Sequence, residues 1–164
     1  MKRSKQRGVI LIVMLLWLAG MSLLAGCAWI GFAEEEGGML KPPLPTLSWQ
    51  NCSIPVLQGS YCWSEYGRGT CVDMVGPDDL VEANKLSPVQ VPAGTLVLVE
   101  FPVTPKEGTL RAASLRTEEL EELTISNDNQ IQLPDEEGVH VIDFSANWEQ
   151  GSANFVMYVE IVKP

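Results

Sequence analysis

The residues near the C-terminus alternate strictly between apolar and polar, and this dictates a sheet before anything else is considered. In Val139–Trp148 the even positions are His140, Ile142, Phe144, Ala146 and Trp148; in Ser152–Val162 the odd positions are Ala153, Phe155, Met157, Val159 and Ile161. A period of two puts each set on one face of a strand. A four-residue loop, Glu149–Ser152, predicts an antiparallel hairpin pairing Trp148 with Ala153, Ala146 with Phe155, Phe144 with Met157 and Ile142 with Val159. The first two pairs set a large side chain against a small one, as a buried face favours. The opposite face carries Asp143, Ser145, Asn147, Asn154 and Glu160 and is expected to be wet.

A second hairpin is predicted where Ser60–Ser64 and Gly69–Asp73 flank Glu65-Tyr66-Gly67-Arg68. Its register sets Cys62 opposite Cys71, Tyr61 opposite Val72 and Trp63 opposite Thr70. Opposed residues of an antiparallel pair lie within disulfide reach, so a Cys62–Cys71 bond is expected if the chain is exported. With the aromatics turned to the core, both sulfurs face out of the other side. Cys52 is then either buried and free or a competitor for Cys62.

Between the hairpins, Pro88–Phe101 reads as a turn followed by a strand with Val97, Val99, Phe101 and Val103 on one face. Thr109–Leu115 and Gln130–Leu133 read as shorter strands, and Pro134–Gly138 as the turn into the last hairpin. Thr117–Leu123 fits one helical turn or a charged edge strand. No amphipathic stretch of helical period exceeds about two turns. Short strands at close spacing predict an all-β fold, a sandwich of two antiparallel sheets.

The other end of the chain is an address. Residues 1–7 are basic, Gly8–Leu24 are apolar and uncharged, and the run closes on Leu24-Ala25-Gly26-Cys27. The apolar run is short for a membrane span and suits a signal segment. Small residues before a cysteine let a peptidase reach the bond, and the thiol can carry a diacylglyceryl group. Residues 1–26 are expected to be a lipoprotein signal peptide that forms a helix, and Cys27 the lipidated residue, excluded from any disulfide. Two acyl chains suffice for stable attachment. The acid-, glycine- and proline-rich stretch 33–46 lacks periodicity and reads as a spacer, so 27–46 form anchor and linker and 47–164 the folded domain.

Charge narrows the partners. Lys2, Arg3, Lys5 and Arg7 would leave with the leader, so 7 of the 11 basic residues remain against all 21 acids, a net −14 on 138 residues. Such a chain is repelled by nucleic acid and anionic surfaces.

The inventory for catalysis is thin. His140 is the single histidine and falls in the core-facing register, where a backbone carbonyl would satisfy it. No serine lies in a nucleophile elbow and no glycine-rich phosphate loop follows a strand. Asp73, Asp78 and Asp79 surround Gly76-Pro77 and could offer oxygens to calcium, but their spacing fits turn chemistry better. Glu118, Glu119, Glu121 and Glu122 read as a solvated charge run. No metal and no cofactor is expected. Of five tryptophans, Trp17 is in the leader and Trp29 beside the anchor, leaving Trp49, Trp63 and Trp148. Exposed aromatics could stack on sugars or hold peptide side chains. The candidate ligand-binding residues are therefore Tyr66 and Arg68 at the hairpin tip, with Trp63 and Trp148, which the registers also allow as core.

The Gly59-Ser-Tyr-Cys-Trp63 stretch, Cys71-Val-Asp73, the Pro92-Ala-Gly94 turn, Gly138-Val-His-Val141 and Ala146-Asn-Trp148 with Gly151 resemble a group of uncharacterised Gram-positive surface lipoproteins. The likeness covers roughly residues 47–162 and the leader, and departs at His140, where that pattern favours tyrosine. It implies an immunoglobulin-like antiparallel β-sandwich with no assigned reaction. More distantly, the final hairpin is similar to that of small β-sandwich proteinase inhibitors. The expected function is a lipid-anchored module on the outer face of the bacterial cytoplasmic membrane, non-catalytic, binding an unidentified protein or cell-wall glycan. The alternative is an inhibitor-like domain working through loops at one end of the sandwich.

Overall fold

The computed structural model describes residues 40–116, 119–126 and 128–163. The signal segment, Cys27, Trp17, Trp29, Glu118 and the first part of the spacer lie outside the described residues. Among the described residues, eleven strands and a short helix follow in order: β1 (Thr46–Trp49), β2 (Cys52–Ile54), β3 (Leu57–Glu65), β4 (Arg68–Val72), α1 (Pro77–Ala83), β5 (Val89–Pro92), β6 (Leu96–Glu100), β7 (Arg111–Arg116), β8 (Glu119–Glu122), β9 (Gln130–Gln132), β10 (Gly138–Asn147) and β11 (Gly151–Val162). They form the expected all-β sandwich. One sheet has the order β2-β1-β6-β9; the larger has β4-β3-β11-β10-β7-β8, with β5 added in parallel alongside β11. Packing begins ahead of β1, since Leu40 lies against the core and Pro42 and Pro45 are buried.

The core lies between the sheets and follows the period-two pattern. Leu47, Val97, Val99 and Ile131 come from the small sheet, and Ile142, Phe144, Phe155, Met157 and Val159 from the large one. Every even position of His140–Trp148 and every odd position of Ala153–Ile161 is buried, so the predicted faces are the observed ones. The predicted register is not. Ala146 opposes Ala153, Phe144 opposes Phe155 and Ile142 opposes Met157, a slip of two residues. The loop is shorter than expected: Trp148 and Gly151 exchange backbone hydrogen bonds (2.7 and 3.4 Å), leaving only Glu149 and Gln150 in the turn. A slip of two keeps each side chain on its face, so the alternation could not detect it. This register brings Phe144 and Phe155 directly opposite each other. Phe144 and Phe155 stack with centroids 5.4 Å apart, and Trp148 meets Phe101 edge-on at 5.3 Å. Such pairs contribute about 0.5–1.5 kcal/mol beyond their burial.

The outer face of β10–β11 is also drier than its acids and amides suggested. Val141 and Val156 are buried there beneath Leu80 and Val81 of α1, with Leu57, Leu86, Leu115 and Tyr158 around them. The helix was not expected. Pro77 starts it, where its missing N–H costs nothing, and Asp78 and Asp79 occupy the first turn, where carboxylates suit the helix dipole. Asn84 donates to the Leu80 carbonyl (2.8 Å) and Lys85 turns left-handed (φ 51°), ending it after seven residues. Asp78 and Asp79 are thus helix-start residues. Among the described residues no group of three or more His, Cys, Asp or Glu side chains gathers in a metal-holding arrangement.

Asp143 is half-buried on this face. It accepts from the Asn154 carboxamide at 3.2 Å. Burial pushes its carboxyl above the usual carboxylate range, and the Asn154 hydrogen bond offsets this in part. A raised native value favours the protonated form in the fold. The group therefore contributes most below its ordinary titration range and less as pH rises through the native value. Asp143→Asn is expected to be slightly more stable than the natural chain at neutral pH, with the gap closing as pH falls to about 4. Thermal unfolding of both proteins across that range checks the sign; a gap that widens on acidification would refute it.

Candidate functional site

The β3–β4 hairpin has the predicted register, with Cys62 opposite Cys71, Tyr61 opposite Val72 and Trp63 opposite Thr70. It runs two pairs further, to Glu65 opposite Arg68, so the connection is a two-residue turn, Tyr66-Gly67. Both turn residues are left-handed (φ 50° and 75°), the primed geometry that matches strand twist. Cys62 and Cys71 form the disulfide, their Cα atoms 4.1 Å apart, on the exposed face. A loop this short limits its contribution to about 2–3 kcal/mol. Two further ties fix the hairpin at its base. Ser64 gives its backbone N–H and its hydroxyl to the Gln150 carbonyl (2.8 and 2.9 Å), and Met74 N–H donates to Ser60 Oγ at 2.9 Å. Cys52 is free and exposed, rather than buried or paired with Cys62.

The predicted ligand residues separate into two groups. Tyr66 is 95% exposed at the tip, with Arg68 exposed beside it. Trp63 and Trp148 are each 3% exposed and meet edge-to-face at 5.5 Å. Their indole N–H groups are taken internally, by Glu65 Oε1 (3.3 Å) and the Val103 carbonyl (2.8 Å). They are core residues that hold the base of the tip, and they offer no free ring face to a sugar. Trp49 is half-buried against the same core.

His140 is 1% exposed. Its Nε2 lies 3.0 Å from the Glu136 carbonyl, which can only accept, so Nε2 carries a proton. Its Nδ1 is 2.9 Å from the hydroxyl of Ser114, itself buried. The expected carbonyl partner is present, and Ser114 is an addition that the sequence did not suggest. An ion pair between Arg116 and Glu136 steadies the same turn.

A feature the sequence did not indicate lies between the β6–β7 and β8–β9 connections. There the chain leaves a cleft of about 420 Å³, lined by Lys106 and Arg111 from the first connection and the start of β7, and by Ile125 and Asn129 from the second. It shares Thr104, Pro105 and Asn129 with a recess of about 290 Å³ that reaches Glu100, Phe101 and Asp128. The β6–β7 connection is held in place from several points. Lys106 N–H donates to the Asn147 carbonyl at 2.7 Å, the Thr109 hydroxyl to the Lys106 carbonyl at 2.7 Å, and Lys106 Nζ pairs with Glu149 at 3.2 Å. The sequence signal was faint: a Pro105-Lys-Glu-Gly108 turn between two apolar runs.

No protein-family model matches the chain, and no curated protein or solved structure matches it either.

Proposed function

We propose that the chain is a lipid-anchored, extracytoplasmic binding module that engages a partner protein through the Tyr66–Arg68 hairpin tip, without catalysis. The observation that carries this reading is Tyr66 itself. The first position of a primed turn favours Asn, Asp or Gly, and left-handed backbone costs a bulky residue on the order of 1 kcal/mol. Here a tyrosine occupies it and packs on nothing, 95% exposed, on a hairpin braced by a disulfide and two tethers. A rigid, amphipathic ring presented at little entropic cost is the kind of side chain that anchors interfaces. The exposed disulfide suits an oxidising compartment, and the Leu24–Cys27 motif supplies a means of attachment there. The commitment of both His140 ring nitrogens supports a non-catalytic role. The inhibitor-like alternative receives less support, because a two-residue left-handed turn does not offer the extended backbone that a protease cleft takes.

Two measurements test this. A radiolabelled fatty acid fed to cells should label the natural protein and not Cys27→Ser; a natural protein that takes up no label would remove the lipid anchor from the proposal. At the tip, Tyr66→Asn should raise stability by about 0.5–1 kcal/mol, because Asn tolerates the turn, while abolishing partner binding. A photo-crosslinking residue at position 66 on intact cells should trap a discrete adduct that a probe at Lys85, on the end of α1, does not. Equal labelling at both positions, or none at 66, would overturn the tip as the docking point.

A further inference from the structure

We propose that the cleft between the β6–β7 and β8–β9 connections is a second binding site, separate from the hairpin tip, for a short peptide with free termini. The peptide's carboxylate would lie at Arg111 and Lys106 and its amino end in the acidic recess.

Three observations converge on that chemistry. The first is size. A cleft of about 420 Å³ opening into a recess of about 290 Å³ falls in the range of small-ligand sites. The second is the state of Arg111. Its Nη1 donates to the Gly108 and Leu110 carbonyls, both at 2.8 Å. A guanidinium has five N–H donors, so this anchorage leaves the Nε–Nη2 edge, whose two parallel donors match a carboxylate. The side chain is thus held in one orientation before any ligand arrives. Lys106, also in the lining, pairs with the exposed Glu149. A surface pair of this sort is weak and readily exchanged for a ligand anion.

The third observation is polarity. In a chain of net charge −10, two cationic side chains line one cleft, while Glu100 and Asp128 line the adjoining recess. Glu107 also borders the cleft, near Lys106. An inorganic or nucleotide phosphate would satisfy the arginine but meet three carboxylates with nothing to offer them. A zwitterionic peptide answers both ends. Its side chains would lie against Leu110, Ile125 and Pro105, the apolar part of the lining.

The test is isothermal titration of the full chain with trialanine bearing both free termini, with its C-terminal amide, with its N-acetyl form and with inorganic phosphate. Free trialanine should bind saturably, and amidation should weaken binding at least about tenfold, the loss of charge-assisted hydrogen bonds. N-acetylation should weaken it as well. Arg111→Gln should bind acid and amide alike. Because that change also removes the hydrogen bonds to Gly108 and Leu110, Lys106→Gln serves as the second variant and should narrow the acid–amide difference without lowering Tm. Tyr66→Asn should leave peptide binding unchanged, so failure at the tip and failure at the cleft are read separately. Equal binding of acid and amide by the natural chain, phosphate binding tighter than trialanine, or no saturation by about millimolar concentrations would each overturn the proposal.

Discussion

Gly151→Ala is expected to cost about 3–5 kcal/mol and to lower Tm by roughly 10–20 °C. Gly151 sits where β11 leaves the hairpin turn and pairs with Trp63 of β3. Its φ is 151°, a value L side chains rarely adopt, so any substitution carries backbone strain of about 1–3 kcal/mol. The space is also taken. A Cβ there would fall on the Cys62 carbonyl oxygen, with the Cys62 carbonyl carbon at 2.9 Å and Trp63 Cα at 3.3 Å. These are backbone atoms of the neighbouring strand, so relief requires β3 and β11 to separate at the point where Trp63, Trp148 and the disulfide hairpin converge. Against a total stability of about 5–15 kcal/mol, such a loss would leave much of the protein unfolded near physiological temperature. Ser152→Ala, at the exposed neighbouring position, should change Tm by no more than a few degrees. A Gly151→Ala protein that melts within that same margin would show that the strands can part without cost.

Gly151 also shows where a sequence stops being informative. The alternation of β10 and β11 revealed both faces correctly because side-chain period is a local property of each strand. Register is set by the turn, and Trp148-Glu-Gln-Gly151 carries no signal as plain as Asn-Gly to distinguish two turn residues from four. The β3–β4 hairpin was easier, since two cysteines and two aromatics at matching positions leave one register that serves all four. Non-local pairing was not legible at all. Val89–Pro92 joins Val159–Val162 in parallel, and nothing in either segment names the other. Helix α1 is only seven residues long, too short for a helical period to emerge, and its Asp78 and Asp79 read equally well as turn residues. Val141 and Val156 are buried by that helix, so their burial is no more legible in the sequence than the helix itself.

The same division applies to the candidate sites. Tyr66 could be located from the sequence because an aromatic between two strands at a Gly-containing turn has no core within reach. Trp63 and Trp148 kept two readings until burial decided between them. The cleft depends on how two connections pack against each other, and Lys106, Arg111 and Asp128 appear in the sequence only as scattered charges. Arg111 gains its meaning from the Gly108 and Leu110 carbonyls, a backbone arrangement that composition does not encode.

His140→Ala is expected to cost about 3–5 kcal/mol, the second large effect in this fold. The change empties a site that is 1% exposed and strands two polar groups, the Ser114 hydroxyl and the Glu136 carbonyl. Cavity and desolvation act in the same direction, whereas an exposed histidine would cost almost nothing. Volume can be restored without the hydrogen bonds: His140→Phe should lose less than His140→Ala, about 1–3 kcal/mol. Adding Ser114→Ala to His140→Phe removes the stranded hydroxyl, so the double variant should be more stable than the two single losses predict. The coupling should fall between about 0.5 and 3 kcal/mol, measured by denaturant unfolding of all four proteins in one cycle. That coupling measures what the Ser114–His140 hydrogen bond contributes to the fold. A structural histidine is replaceable by an apolar pair once both partners go, because its worth lies in satisfying groups that the fold itself buried. If the cycle closes with no coupling, the Ser114–His140 hydrogen bond is not what keeps this histidine in the core.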